Sequence, residues 1–161
     1  FRGEDRPDSV DEGIKDMYAG LRAGEVATTS AINPDGWARV IEPALRSGQD
    51  ALVLTFSSGL STTYQSAMIA ASELQEKYPE RSIKVVDTLC ASMGQGLLVW
   101  HTCKMRDTGL GLEELAAWVE ENRLHLCHWF TVDDLVYLKR GGRISGTVAF
   151  AGFLQLYQFP R

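Results

Sequence analysis

The sequence is poor in cysteine, and the spacing of its cysteines argues against two common kinds of small protein. The 161 residues contain three cysteines, Cys90, Cys103 and Cys127, and no two of them form a CxxC pair. An odd number of widely spaced cysteines disfavours both a disulfide framework and a zinc site. We therefore predict free, mostly buried thiols in a protein of the reducing cytoplasm.

Long apolar runs and an excess of positive charge are also missing. No apolar run approaches the roughly 20 residues that a membrane-spanning helix needs. The charged opening FRGEDRPDSVDE lacks the apolar region of a secretory signal. The net charge of −5 disfavours nucleic acid as a partner, because phosphate binding requires a basic face. We expect a cytoplasmic protein that neither binds nucleic acid nor inserts stably into membranes.

Apolar segments that alternate with helical patterns predict an α/β fold. The run ALVLTF at 51–56 is typical of a strand buried on both faces. A second strand is predicted at SIKVVD, 82–87, and a third at LHLCHWFTV, 124–132. Helices are predicted at about 9–24, from Pro34 to Leu45, and at about 60–78, 92–104 and 112–122. This order predicts an open, mostly parallel sheet with helices on both faces. Three strands make a thin sheet, so we expect a further strand from outside this stretch.

Two features of the helices concern burial. The helix predicted at 92–104 is rich in small and apolar residues, so we expect it to be well buried. The four tryptophans, Trp37, Trp100, Trp118 and Trp129, are predicted to belong to the core and not to a site.

Hydroxyl side chains crowd the turn SSGLSTTYQSA at 57–67, between the first predicted strand and the following helix. Ligands of open parallel sheets bind beyond the carboxyl ends of the strands, and a helix N-terminus offers unpaired N–H groups to an anion. Gly59 permits a close turn, while Ser61, Thr62 and Thr63 add hydroxyl donors. Ordinary capping accounts for part of the cluster, but three serines cannot all cap one helix. The pattern favours a small anionic head group, either a carboxylate or a phosphate.

Two other functions stay open at this turn. The stretch GLSTT matches the nucleophile elbow G-x-S-x-G only in its first three residues, since Thr63 stands in place of the second glycine. A serine acyl hydrolase that uses Ser61 would need one of the histidines at 101, 125 and 128, which fall in a predicted helix and a predicted strand. The other alternative is a ligand-free scaffold or interaction fragment. No phosphate-loop consensus occurs in the sequence.

The segment KRGGR at 139–143 follows the pattern of a helix end. Lys139 and Arg140 suit the C-terminal end of the helix dipole, and one of the two glycines suits the left-handed cap. Arg143 is not explained by the cap, and its guanidinium suits an acid group as a partner.

Four stretches together resemble the DegV family of bacterial lipid-binding proteins. They are TTSA at 28–31, SSGLSTTYQSA at 57–67, VVDTLCASMGQGLLV at 85–99 and FTVDDLVYLKRGGRIS at 130–145. The resemblance runs from about residue 12 to residue 150. It implies a non-catalytic carrier that holds a long-chain fatty acid such as palmitate, stearate or oleate in an apolar tunnel and needs no other cofactor. It also implies a partner, the catalytic subunit of a fatty acid kinase, to which the lipid is presented for phospholipid synthesis.

The resemblance assigns the head-group contacts motif by motif. The family's threonine falls on Thr29 and its serine falls on Ser61. Supporting positions are Ser30, Gly59, Thr62 and Arg143, the last near the head group or at the kinase-facing surface. Ala31 and Thr62 depart from the glutamine and the glycine that the family usually carries there. We expect residues 1–161 to form one DegV-like α/β domain that lacks the family's opening strand and C-terminal domain.

Overall fold

The computed structural model describes residues 13–129 and 135–144. In this part of the chain the helices are α1 (Gly13–Arg22), α2 (Pro34–Arg46), α3 (Thr63–Lys77), α4 (Ser92–Asp107), α5 (Leu112–Asn122) and α6 (Leu135–Arg140), and the strands are β1 (Ala51–Thr55) and β2 (Ile83–Asp87). The chain divides into two compact units, one made of Phe1–Ser30 with Val132–Arg161 and the other of Ala31–Thr131. Both strands belong to the second unit.

The two strands pair in parallel, and α3 makes the crossover between them. Ala51 lies opposite Ile83 and Val53 lies opposite Val85. Parallel pairing requires such a crossover, because a short hairpin joins only antiparallel strands. The predicted α/β class with a parallel sheet is confirmed.

Each face of the sheet carries its own apolar core, because successive side chains of a strand point to opposite sides. Val53 packs on one side with residues of α2 and α3, and Leu52 and Leu54 pack on the other side with residues of α4 and α5. The first cluster contains Ile41, Leu45, Val53, Ala67 and Leu74, and the second contains Val86, Cys90, Leu98, Ala116 and Val119. Helices on both faces, as predicted, are confirmed.

The third predicted strand, at 124–132, is wrong over the part that the structure describes. Residues 124–129 form a turn followed by irregular chain, in which the His125 N–H donates to the Asn122 carbonyl at 2.9 Å. Leu126 packs against the second cluster. Apolar residues can cover a core without strand pairing, so the pattern alone did not distinguish the two arrangements. Residues 130–132 lie outside the described residues.

The outer edges of the sheet are partly covered by side chains. On β2, the Ile83 N–H donates to Gln75 Oε1 at 3.3 Å, and Arg123 donates to the Asp87 carbonyl. On β1, the Leu54 carbonyl accepts from Gln95 Nε2 at 3.1 Å. These bonds satisfy backbone groups that no neighbouring strand reaches among the described residues.

Helix α4 and two of the cysteines correct the predictions about burial. The side of α4 that bears Leu98 is buried, but Met93 and Trp100 are 82% and 53% exposed. Trp129 is also exposed, so two of the four tryptophans are not core residues. Cys90 is buried as predicted, whereas Cys103 and Cys127 are exposed. An apolar composition does not show which side of a helix meets the core.

Candidate functional site

The turn between β1 and α3 is organised by Ser57, which is buried. Its carbonyl accepts the N–H groups of Leu60 and Ser61 at 3.1 and 3.2 Å, and its hydroxyl accepts the Gly59 N–H at 3.3 Å. The Ser57 N–H donates to the Cys90 carbonyl at 3.0 Å. The hydrogen bonds of buried Ser57 therefore fix the shape of the turn from within.

Ser61 and Thr63 form a hydroxyl pair at the start of α3. Their oxygens lie 2.7 Å apart, and the Thr63 N–H donates to Ser61 Oγ at 3.2 Å. Only one of the two hydroxyl protons serves the bond between them, so the pair retains a proton that it can donate. Thr62 is the N-cap residue, but its side chain makes no capping hydrogen bond.

The backbone at this helix end offers further donors. The first helical bond runs from the Ser66 N–H to the Thr62 carbonyl at 3.0 Å. The N–H groups of Tyr64 and Gln65 precede that bond, and such groups have no partner within a helix. Hydroxyl and N–H donors at the positive end of α3 are suited to a carboxylate or another small anion.

A second loop, directly after β2, is bonded to this turn. One carboxylate oxygen of Asp87 accepts the N–H groups of Ser58 and Leu89, each at 3.1 Å. Thr88 Oγ1 donates to the Thr55 carbonyl at 2.7 Å. Leu89 has a φ of 54°, which is uncommon for a residue other than glycine. The two loops thus lie side by side at the carboxyl ends of β1 and β2, where ligands of parallel sheets bind.

Cys90 lies in the second loop and belongs to the core. Burial raises the pKa of the Cys90 thiol. A thiol with a raised pKa stays protonated near neutral pH and is a weak nucleophile. Cys90 is therefore a core residue whose backbone carbonyl accepts the Ser57 N–H, and its thiol does not indicate covalent chemistry at the site.

The predicted site residues are divided between the two compact units. Gly59, Ser61 and Thr62 lie together in the turn before α3, in the unit Ala31–Thr131. Thr29 and Ser30 are exposed residues of the segment between α1 and α2, in the other unit. A joint grip on one head group by Thr29 and Ser61 stays a prediction.

Arg143 also belongs to the first unit and follows α6. Its guanidinium donates to the Gly141 carbonyl, and Gly142 adopts a left-handed φ of 72°. The left-handed glycine after Arg140 confirms the predicted helix end. A contact of Arg143 with a ligand or with a kinase stays a prediction.

The hydrolase alternative lacks a base in the part of the chain that the structure describes. The hydrogen bonds of Ser61 Oγ go to Thr63. The ring of His101 packs edge-on against Trp100 at 4.8 Å between centroids, and the ring of His128 lies over Gly94. A serine nucleophile needs a hydrogen-bonded base, and among the described residues none of the three histidines, at 101, 125 and 128, is hydrogen-bonded to Ser61. Across residues 13–129 and 135–144 no group of three or more metal-binding side chains occurs, and no helix is long and apolar enough to cross a bilayer.

Comparison with known proteins decides the family. The model of the family described as "Uncharacterised protein, DegV family" matches residues 1–155. The chain belongs to the DegV family. This DegV chain is 47% identical over 149 residues to a DegV domain-containing protein of Clostridium perfringens, and the match covers 91% of this chain and 51% of that relative. The membership predicted from four motifs is confirmed.

Solved structures of DegV proteins share the fold. A DegV family protein from Thermus thermophilus, described as binding fatty acid, is 39% identical with a TM-score of 0.71, and the match covers 87% of this chain and 49% of that one. The Streptococcus pneumoniae Fatty Acid Kinase (Fak) B3 protein, loaded with linoleic acid, has a TM-score of 0.75. At 23% identity, over 89% of this chain and 50% of that one, it shows the common fold alone. The DegV chain spans about half the length of these relatives.

Asp87 and Thr88 are the residues of this DegV site that the sequence analysis did not single out. Both lie in the stretch VVDTLCASMGQGLLV, with Asp87 as the last residue of β2 and Thr88 directly after it. A signal was available, because polar residues at the carboxyl end of a parallel strand lie at the ligand end of the sheet. Their partners, however, are 29 to 33 positions away along the chain, and only the folded structure identifies them.

Proposed function

We propose that this chain binds a long-chain fatty acid, with its carboxylate held by Ser61 and Thr29 and its acyl chain in an apolar tunnel. The observation that carries the proposal is the hydroxyl pair of Ser61 and Thr63 beside the N–H groups of Tyr64 and Gln65, which precede the first helical bond of α3. The fatty-acid binding described for the Thermus thermophilus relative supports the ligand class.

The chemistry of a fatty acid matches this arrangement of donors. A carboxylate taken out of water must keep hydrogen bonds, whereas each buried methylene contributes about 0.8 kcal/mol. A few fixed donors and an apolar slot are therefore sufficient for tight binding, and no catalytic group is needed.

One hydrogen bond within the unit Ala31–Thr131 fixes the chain that follows Thr29 and Ser30. Ser66, in the first turns of α3, donates its hydroxyl to the Ile32 carbonyl at 2.6 Å. The segment that directly follows the Thr-Ser pair is thereby anchored to the helix that follows Ser61.

The proposal includes a role as a carrier subunit and not as an enzyme. The bound fatty acid would be presented to the catalytic subunit of a fatty acid kinase, as the family resemblance implies, with Arg143 near the head group or that partner. A cytoplasmic location belongs to the same proposal, because the three free cysteines fit a reducing compartment.

Palmitate binding tests the head-group assignment. Native mass spectrometry of protein made in bacteria should show a co-purified mass of a fatty acid, and calorimetric titration of delipidated protein should show palmitate uptake. The double change Ser61→Ala with Thr29→Ala should weaken binding at least tenfold, because one hydrogen bond to a charged group contributes about 1.5–3 kcal/mol. Ser72→Ala, which removes an exposed hydroxyl in the middle of α3, is the matched control.

Two results would count against the proposal. Apo protein that takes up no palmitate would reject the fatty-acid ligand, and an unchanged affinity in the double variant would reject Ser61 and Thr29 as its head-group contacts. Covalent labelling of Ser61 by a fluorophosphonate probe would favour the acyl hydrolase instead.

A further inference from the structure

We infer that Asp87 is a positioning residue for the head-group turn: its carboxylate holds the backbone that carries Ser61 in place for the ligand. The inference rests on the proposed function, because it concerns how the same turn recognises a carboxylate. The role of Asp87 is indirect, because its carboxylate does not itself donate a hydrogen bond to the bound anion.

A single oxygen of Asp87 joins the two loops at the ligand end of the sheet. Asp87 Oδ1 accepts the Ser58 N–H from the turn after β1 and the Leu89 N–H from its own loop, each at 3.1 Å. The residue is only 9% exposed, so these bonds form largely away from water. Hydrogen bonds to an ionised acceptor are roughly twice as strong as neutral ones. Asp87 is therefore a firm attachment point for Ser58.

Among the described residues, one other hydrogen bond joins the turn to the loop after β2. Besides the bond to Asp87, the Ser57 N–H donates to the Cys90 carbonyl at 3.0 Å. Leu60 and Ser61 are in turn bonded to the Ser57 carbonyl. Removal of the Asp87 carboxylate leaves the Ser57–Cys90 bond as the one hydrogen bond described between the turn and the loop after β2, and it leaves the N–H groups of Ser58 and Leu89 without this acceptor. The Ser61 hydroxyl, three residues after Ser58, would then lose its fixed place.

The negative charge of Asp87 is compatible with an anionic ligand nearby. Two N–H groups already donate to Asp87 Oδ1. Those two donors are consequently not available to the ligand. The carboxylate of the ligand instead meets the hydroxyls of Ser61 and Thr63 and the N–H groups at the start of α3. The carboxylate of Asp87 and the carboxylate of the fatty acid therefore accept from different donors.

The same pair of strands offers a matched control at its other end. Asp50 Oδ1 accepts the Ser82 N–H at 2.9 Å, which is again a bond from a carboxylate to the backbone of the segment beside it. Asp50 precedes β1 and Ser82 precedes β2, whereas Asp87 ends β2. Asp50→Ala therefore removes the same kind of bond at the end of the sheet away from the proposed head group.

The test compares palmitate with hexadecanol, which has the same chain length and no charge. Binding of each ligand is measured for the wild type and for Asp87→Ala, Asp87→Asn and Asp50→Ala. We expect Asp87→Ala to lower the preference for palmitate over hexadecanol by about tenfold, as loss of a positioned charge-assisted contact would do. Asp87→Asn retains an acceptor oxygen and should keep most of the preference, and Asp50→Ala should keep all of it.

Each outcome bears on the inference. An unchanged preference in Asp87→Ala, or an equal loss in Asp50→Ala, would overturn it. If Asp87→Ala fails to fold, Asp87→Glu is used in its place, since this variant keeps the charge but displaces the carboxylate oxygen by one methylene. The preference of Asp87→Glu for palmitate over hexadecanol should then fall below that of the wild type. An unchanged preference would overturn the inference. Failure of the proposed function gives a different result, namely wild-type protein that does not bind palmitate.

Discussion

At the scale of single residues, one carboxylate joins the helices α2 and α3. Glu42 Oε1 accepts from Lys77 Nζ at 2.6 Å and from the Tyr78 hydroxyl at 2.8 Å, and Arg46 lies 3.4 Å away. The hydrogen bonds from Lys77 and Tyr78 lower the pKa of Glu42 from 4.5 to about 2. Both partners come from the end of α3, so the carboxylate links two distant parts of the chain.

This pKa predicts how folding stability depends on pH. The pKa of Glu42 is lower in the folded state than in the unfolded state, so its contribution is present above about pH 4.5 and is lost as the pH falls towards 2. In Glu42→Gln the free energy of unfolding should therefore fall less steeply with acid over this range. Urea unfolding at several pH values measures this free energy of unfolding. The control is Glu120→Gln, which replaces an exposed glutamate of α5. Equal slopes in wild type and Glu42→Gln would contradict the prediction.

Individual residues also show which parts of the site could be predicted from the sequence. Gly59, Ser61 and Thr62 were predicted because their turn follows an apolar strand, and strand and turn are adjacent in the sequence. Asp87 was not, because its partner Ser58 lies 29 positions away. Local patterns reveal hydroxyls at a turn, whereas a bond between two loops depends on the register of the strands beneath them.

At the scale of elements, α4 shows how two similar glycines can differ. A Cβ at Gly94 would lie 2.6 Å from His128 Nδ1, while a Cβ at Gly96 would meet no heavy atom within 4 Å. Both residues lie within the same helix, yet only Gly94 is buried. The close approach of the segment 124–129 explains a small residue at 94 and not at 96.

Alanine substitutions at Gly94 and Gly96 should have different effects on stability. Gly96→Ala should stabilise the protein by about 1 kcal/mol, because alanine is the better helix former. Gly94→Ala should gain nothing or lose stability, since its methyl group must displace His128. Chemical denaturation measures both free energies of unfolding. An equal gain in the two variants would show that His128 does not pack on α4 as described.

At the scale of the whole molecule, the two clusters on opposite faces of the sheet make Cys90 a reporter of unfolding. Cys90 is 1% exposed within the second cluster, whereas Cys103 and Cys127 are exposed. Burial also raises the pKa of the Cys90 thiol, which lowers its thiolate fraction further. Access to this thiol therefore requires the second core to open.

Thiol titration tests that arrangement. Native protein should react rapidly with Ellman's reagent at Cys103 and Cys127 and slowly at Cys90, and denatured protein should react at all three. The slow reaction should accelerate over the denaturant range in which helical circular dichroism is lost. Cys90→Ser provides the control, because its native and denatured protein should contain equal numbers of reactive thiols. Rapid reaction of Cys90 in native protein would mean that the second core is open.

The amino-acid sequence by itself determined the α/β class, the strands β1 and β2, the places of α2 to α5 and the hydroxyl turn before α3. Each depends on residues that are neighbours in the chain: apolar runs for strands, helical periodicity, and caps or turns at their ends. Only the tertiary structure decided that residues 124–129 are irregular, that one side of α4 is exposed, and that Asp87 is bonded to the turn before α3. Those features depend on contacts between distant segments, and a local pattern of side chains does not specify which segments meet.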